Sequence, residues 1–197
     1  MVAGPNGAGK STLVRWLQQR GIDFAEYINP DDIAQELDGS YDKRVREAQS
    51  IADRRRDTCI SERRSFSFET VMSHPSKIDI LLRAKQAGFF LQLFFIGTED
   101  PQISADRVAL RVAQGGHDVP RDRIAPRWFR TMNQLFSAIE ASDRAFVFDN
   151  TSAGIDVGRR LVFARDTSFN PPIIHWYPPI PEWARRYILE PLEGAST

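Results

Sequence analysis

Gly4-Pro5-Asn6-Gly7-Ala8-Gly9-Lys10-Ser11-Thr12 matches the pattern G-x-x-x-x-G-K-[ST]. A helical pattern over residues 9–20 follows at once, with Leu13, Trp16 and Leu17 three and four apart. Glycines lack a β-carbon, so successive backbone N–H groups can turn inward around phosphates while the helix N-terminus adds positive potential. Lys10 is then placed to reach the β and γ phosphates. A hydroxyl at Ser11 suits Mg²⁺, which implies a magnesium nucleotide rather than a bare anion. Gly4, Asn6, Gly7, Ala8, Gly9, Lys10, Ser11 and Thr12 are therefore the expected ATP contacts, with Ser11 on the metal.

Working outward, short β-like runs alternate with longer helical ones. Strands are expected over residues 1–3, 25–28, 66–68, 89–96 and 145–148, with 160–164 and 173–177 as later additions. Helices are expected over 9–20, 41–63, 75–87, 101–112 and 120–141, and Pro75, Pro101 and Pro120 stand where a first helical turn tolerates proline. The pattern predicts a three-layer α/β/α fold of the P-loop NTPase kind with a mostly parallel sheet, a helical lid over about 101–125 and a packed C-terminal extension over about 151–197. A chain of 197 residues is read as one domain. Several strands end at a polar residue (Asn29, Glu69, Gly97, Asp149), and in open α/β sheets such ends outline the binding crevice. Only Met1, Val2 and Ala3 precede Gly4, so either the first strand is short or the natural start lies further upstream.

Acidic and basic side chains balance at 26 each, which leaves no global field to draw the protein onto nucleic acid or an anionic membrane. Cys59 is the one cysteine and there are three histidines, so neither a disulfide framework nor a structural zinc site is expected. The longest apolar run, residues 88–97, contains Gln92 and falls well short of a membrane span. These features predict a cytoplasmic protein without a secretory leader. The run Arg54-Arg55-Arg56 reads as a solvated helix face.

A second acidic site follows the second strand, in Tyr27-Ile28-Asn29-Pro30-Asp31-Asp32. A phosphotransferase needs there a carboxylate to receive the acceptor's hydroxyl proton, and Asp31 is the candidate base. The competing reading is that Asn29, Asp31 or Asp32 merely caps the helix running to Leu37. Together with the phosphate loop and Ile28 to Asp31, the segments Ser65-Phe66-Ser67-Phe68-Glu69-Thr70 and Gln114-Gly115-Gly116-His117-Asp118-Val119-Pro120 resemble the zeta-toxin family of P-loop kinases. The resemblance runs in order from Gly4 to about Asn150. It implies ATP-dependent phosphorylation of a sugar-nucleotide hydroxyl, with Asp31 as base and with Glu69 and Thr70 facing the substrate or the magnesium hydration shell. It also implies ATP-binding arginines in the lid.

Arg107 and Arg111 lie one turn apart, and Arg123, Arg127 and Arg130 repeat at four and three on the next helix. Arg107 is expected to act on the transferring phosphate, joined by at least one of His117, Arg121 and Arg123, with Gly115-Gly116 as the hinge of the lid. Two other functions compete with a small-molecule kinase. The phosphate loop also resembles that of ABC-type ATPases, but no L-S-G-G-Q-like signature follows. A toxin held inactive by an antitoxin partner is the other alternative.

Overall fold

On β4 (Gln92–Gly97), Leu93 and Phe95 belong to one buried cluster, whereas Phe94 and Ile96 belong to another. That two-residue alternation of apolar partners is what a strand covered on both faces requires. A computed structural model describes residues 1–115, 119–152 and 159–194. The other strands are β1 (Val2–Ala3), β2 (Glu26–Ile28), β3 (Phe66–Thr70), β5 (Arg144–Asp149), β6 (Arg160–Asp166) and β7 (Ile173–Trp176). They form one sheet in the order β2-β3-β1-β4-β5-β6-β7, parallel from β2 to β5, with β6 and β7 added antiparallel.

Helix α1 (Lys10–Gln18) covers one face by packing Leu13, Val14 and Leu17 against Val2, Phe94 and Ile96. The helices between it and the fifth strand are α2 (Pro30–Gln35), α3 (Tyr41–Ser61), α4 (Ser76–Gln86), α5 (Pro101–Ala113) and α6 (Arg121–Ala141). Leu81 and Ala84 of α4 and Trp128, Met132 and Leu135 of α6 close the opposite face over Leu93, Phe95 and Val147. The result is the expected three-layer α/β/α fold with a mostly parallel sheet. Strand order reverses beside β1, which lies between β3 and β4, and this is where open α/β sheets leave a crevice beyond their carboxyl ends.

Four local expectations are corrected. Residues 89–91 do not join β4, because the chain turns at Gly88 (φ +86°) and Phe89 N–H caps α4 through Ala84 O. Glu69 and Thr70 lie inside β3 rather than beyond it, since the parallel ladder pairs them with Val2 and Ala3 of β1. Pro101 does occupy a first turn, behind the cap of Asp100, but Pro75 and Pro120 sit one step earlier, at the cap position itself. Finally, Arg56 is buried, unlike Arg54 and Arg55 beside it.

Trp183, Ala184 and Ile188 are buried in the α6 cluster, and the indole N–H of Trp183 donates to Asp149 Oδ1 at 3.0 Å. No helix among the described residues is long and apolar enough to cross a membrane.

Candidate active site

The turn from β1 to α1 lies pressed against its neighbours. A β-carbon at Gly4 would stand 2.1 Å from Ile96 O, and one at Gly7 would stand 2.5 Å from Ser104 O, so neither position admits a side chain without moving backbone. Gly9, at φ +99°, forms the bend into α1. Ala8 N–H donates back to Pro5 O at 3.2 Å, and the Asn150 amide, reaching from the end of β5, donates to Ala8 O at 2.8 Å. The loop is therefore held in shape from inside and from behind.

Lys10 is buried and donates to Pro5 O at 3.0 Å. Burial holds its ammonium below the usual lysine range; the charges of Glu69 and Asp31 work against that shift and Arg111 adds to it. A buried cation curled onto its own loop, beside a helix N-terminus, is poised to straighten onto an anion. Phosphate oxygens fit this cradle.

Next to the loop, Glu69 of β3 accepts from the Ser11 hydroxyl at 3.3 and 3.2 Å and from the Tyr27 hydroxyl at 2.8 Å. Burial, then the Glu69 charge, pushes the Tyr27 phenol above its ordinary range, so it stays a donor. One hydroxyl and one carboxylate beside a phosphate cradle suit Mg²⁺, which takes few protein ligands and completes its shell with phosphate oxygens and water. No cluster of three or more His, Cys, Asp or Glu that could hold a metal occurs among the described residues.

Asp31 stands at the second position of α2 and is exposed. The cap of that helix is Asn29, whose Oδ1 accepts from Asp31 N–H at 3.1 Å. Asn29 thereby does the capping work and the Asp31 carboxylate is left for other use. Asp31, Lys10, Ser11, Thr12, Glu69 and Thr70 all line one cleft of about 850 Å³. Arg107 and Arg111 of α5 and Arg123 and Arg127 of α6 line it too, whereas Arg121 and Arg130 do not.

The zeta-toxin family profile matches residues 1–154. The chain belongs to the zeta-toxin family of P-loop kinases. An uncharacterized protein of Haemophilus influenzae is 31% identical over 129 residues, covering 64% of this chain and 88% of that protein. Among solved structures, the AvrRxo1-ORF1:AvrRxo1-ORF2 complex with sulphate ions has a TM-score of 0.68 at 17% identity, covering 94% of this chain and 61% of the other. The PezAT toxin–antitoxin system of Streptococcus pneumoniae gives 0.56 at 16% identity, covering 83% and 69%. The AvrRxo1-ORF1:-ORF2 complex with ATP gives 0.63 at 17% identity. This chain spans only about three-fifths of the AvrRxo1 chain, 56% in the ATP complex and 61% in the sulphate complex.

Within this zeta-toxin family member, the expected site residues divide by position. Gly4 and Ala8 are buried and shape the loop from outside the cleft. Arg107 is half-buried and donates to Asn150 O at 2.7 Å and to Thr151 O at 3.4 Å, with burial lowering its guanidinium from the ordinary range and Asp149 opposing. Thr70 accepts from Met72 N–H at 3.0 Å. His117 lies outside the described residues. Two contributors have no counterpart among the expected site residues, Tyr27, which fixes Glu69, and Arg56 in the cleft wall, and the hold of Asn150 on the phosphate loop is a role the sequence does not announce. A tyrosine one residue before the end of a strand and an asparagine just after another carry no motif, and only the sheet order brings them here.

Proposed function

We propose that this chain transfers the terminal phosphoryl group of ATP to a hydroxyl of a small-molecule acceptor. The observation that carries the reading is one cleft shared by Lys10, the hydrogen-bonded pair Ser11 and Glu69, and Asp31. Asp31 takes the acceptor's hydroxyl proton, the freed oxygen bonds to the γ-phosphorus, and the bond from that phosphorus to the β,γ-bridging oxygen breaks to release ADP. Lys10 and Arg107, with Arg123 and His117 from the lid, balance the charge on the transferring group. Ser11 and Glu69 would hold Mg²⁺, which when bound offsets charge on the β and γ oxygens. In this reading residues 1–197 form one kinase domain, and the lid over about 101–125 closes about Gly115-Gly116.

A sugar nucleotide is the acceptor placed first, because it is what the zeta-toxin resemblance implies, with Glu69 and Thr70 beside Asp31 on the acceptor side. The test is product formation in purified protein given Mg-ATP and a panel of sugar nucleotides, sugars and nucleosides. ADP and a phosphorylated acceptor should appear with the wild type and vanish with Lys10→Ala. Absence of any product across the panel would sink the proposal.

A partner protein that covers the cleft is a second reading, favoured by the similarity to a structure from a toxin–antitoxin system. Cytoplasmic expression should then arrest growth, and Lys10→Ala or co-expression of a neighbouring gene should relieve it. Growth unaffected by the wild-type chain would count against a toxin.

A further inference from the structure

The zeta-toxin profile ends at residue 154, yet a tryptophan well beyond it is built into the carboxyl ends of β4 and β5. Trp183 is 2% exposed, and its ring lies over Gly97, the last residue of β4. A β-carbon at Gly97 would stand 3.0 Å from two of the ring carbons, so the indole reaches this place only because residue 97 has no side chain. Packing accounts for the ring, which stands 6.2 Å from that of Phe95, but not for its polar contacts.

Both N–H groups of Trp183 serve the loops that follow these strands. The backbone N–H donates to Glu99 Oε1 at 3.1 Å, and the indole N–H donates to Asp149 Oδ1 at 3.0 Å. The same Asp149 oxygen accepts from the Thr151 hydroxyl at 2.5 Å and from Thr151 N–H at 3.3 Å, while Thr151 Oγ1 accepts from Glu99 N–H at 2.9 Å. One carboxylate therefore ties the two loops together. Enclosed between Asp149 and Thr151 is Asn150, whose N–H donates to Gly97 O at 2.8 Å and whose side-chain amide donates to Ala8 O of the phosphate loop at 2.8 Å. The indole thus stands two hydrogen bonds and one peptide link from the phosphate loop. Asp149 has only 12% of its side chain exposed, so water is poorly placed to replace a lost donor.

We infer that Trp183 is a positioning residue for nucleotide binding: through Asp149 and Asn150, residues beyond the family profile hold the phosphate loop in the shape that receives a triphosphate. The inference rests on the ATP reading above and adds to it a residue that does not line the cleft. Without the indole N–H the Asp149 carboxylate relaxes, Asn150 shifts with it, and the hold on Ala8 O slackens. Trp128 supplies the matched comparison. It is 4% exposed in the same buried cluster, and its indole N–H donates to Thr98 Oγ1 at 3.3 Å, but Thr98 bonds onward to Asp100 O and Ser104 rather than to Asn150.

Calorimetric titration of a non-hydrolysable ATP analogue with Mg²⁺ tests this without an acceptor. Trp183→Phe keeps a ring over Gly97 and deletes the N–H, and the analogue's Kd should rise about three- to tenfold. Trp128→Phe should lower the thermal midpoint by a similar amount and leave that Kd within about twofold. Asp149→Ala should also weaken binding, and adding Trp183→Phe to it should cost nothing further, because the indole acts through that carboxylate. If Trp183→Phe fails to fold, replacing Trp183 by its benzothiophene isostere removes the N–H at nearly constant shape and should raise the Kd alike. An unchanged Kd in the Trp183 variant, an equal rise in Trp128→Phe, or full multiplication of the two effects in the double variant would each overturn the inference. Wild-type protein that binds no analogue would bring down the ATP reading as well, whereas loss of the brace alone leaves wild-type binding intact.

Discussion

The Ser11 hydroxyl hydrogen-bonds both carboxylate oxygens of Glu69, at 3.3 and 3.2 Å, although 58 residues separate them in the chain. The contact exists because β3 pairs with β1 in a register that sets Glu69 opposite Val2, two residues before the phosphate loop. Glu69→Gln keeps the shape and can still accept from Tyr27, but it loses the charge. Apparent Mg²⁺ affinity should fall by on the order of a hundredfold. Rates measured against magnesium concentration at saturating ATP check this, and a wild-type magnesium curve would take Glu69 away from the metal.

The cap of α2 falls to Asn29, which makes Asp31 and Asn29 separable by mutation. Asp31→Asn should lower kcat by about 10²–10⁴-fold while the affinity for ATP and the thermal midpoint hold. Asn29→Ala should do the reverse, costing about 1 kcal/mol of stability and sparing the chemistry. Parallel kinetics and thermal melts decide between the two. Equal loss of stability in both variants would return Asp31 to a structural role.

What could be read from the sequence was what acts locally. The loop from Gly4 to Thr12, the alternation of strands and helices, and the acidic residue after β2 each carry a short-range signal, and the sheet and cleft agree with them. Pairings across the sheet leave no such mark. The extension of β3 through Glu69 and Thr70 depends on β1 lying alongside, and the turn at Gly88 removes Phe89 and Phe90 from a run that looks like uninterrupted strand. Arg56 was misread for the same reason. A basic triplet on a helix is usually solvated, and what buries its third member is the edge formed by Phe68 and Lys77, one and two elements further along the chain.

Gly7 tests the close approach of loop and α5. A methyl group there would sit 2.5 Å from Ser104 O, and φ is +72°, so Gly7→Ala combines a backbone clash with a strained dihedral. A loss of about 2–3 kcal/mol is expected, together with weaker nucleotide binding as the loop shifts. Chemical denaturation reads the first effect and nucleotide titration the second. Gly21→Ala, where nothing lies within 4 Å of the added carbon, is the matched control and should lose only the dihedral part.

Arg107 ties α5 to the exit of β5 through Asn150 O and Thr151 O, and Asn150 in turn holds Ala8 O of the phosphate loop. Removing the guanidinium therefore loosens the loop as well as deleting a charge. Arg107→Ala should raise KM for ATP and lower kcat together, by about tenfold or more each. Arg107→Lys restores charge but not the forked donor, so its KM should stay raised while kcat partly recovers. Recovery of both by lysine would show that charge alone matters.

Lys10 gives the chain a signed dependence on pH. Burial lowers its folded pKa, while the unfolded chain keeps the ordinary value of 10.5. Between those two values the unfolded state binds more protons than the folded one, so stability without nucleotide should rise with pH through that window and level off above it. Lys10→Met removes the titrating group, and its melting curves should lose that slope and show higher stability at neutral pH. Triphosphate binding reverses the balance, because phosphate oxygens favour the charged ammonium and pull the pKa back up. Binding in alkaline buffer should then take up a proton in the wild type and none in the variant, if the variant binds at all. Titrations in two buffers of different ionisation enthalpy measure the uptake directly. Equal heats in both buffers, for wild type binding ATP inside the window, would mean that Lys10 does not meet the phosphates.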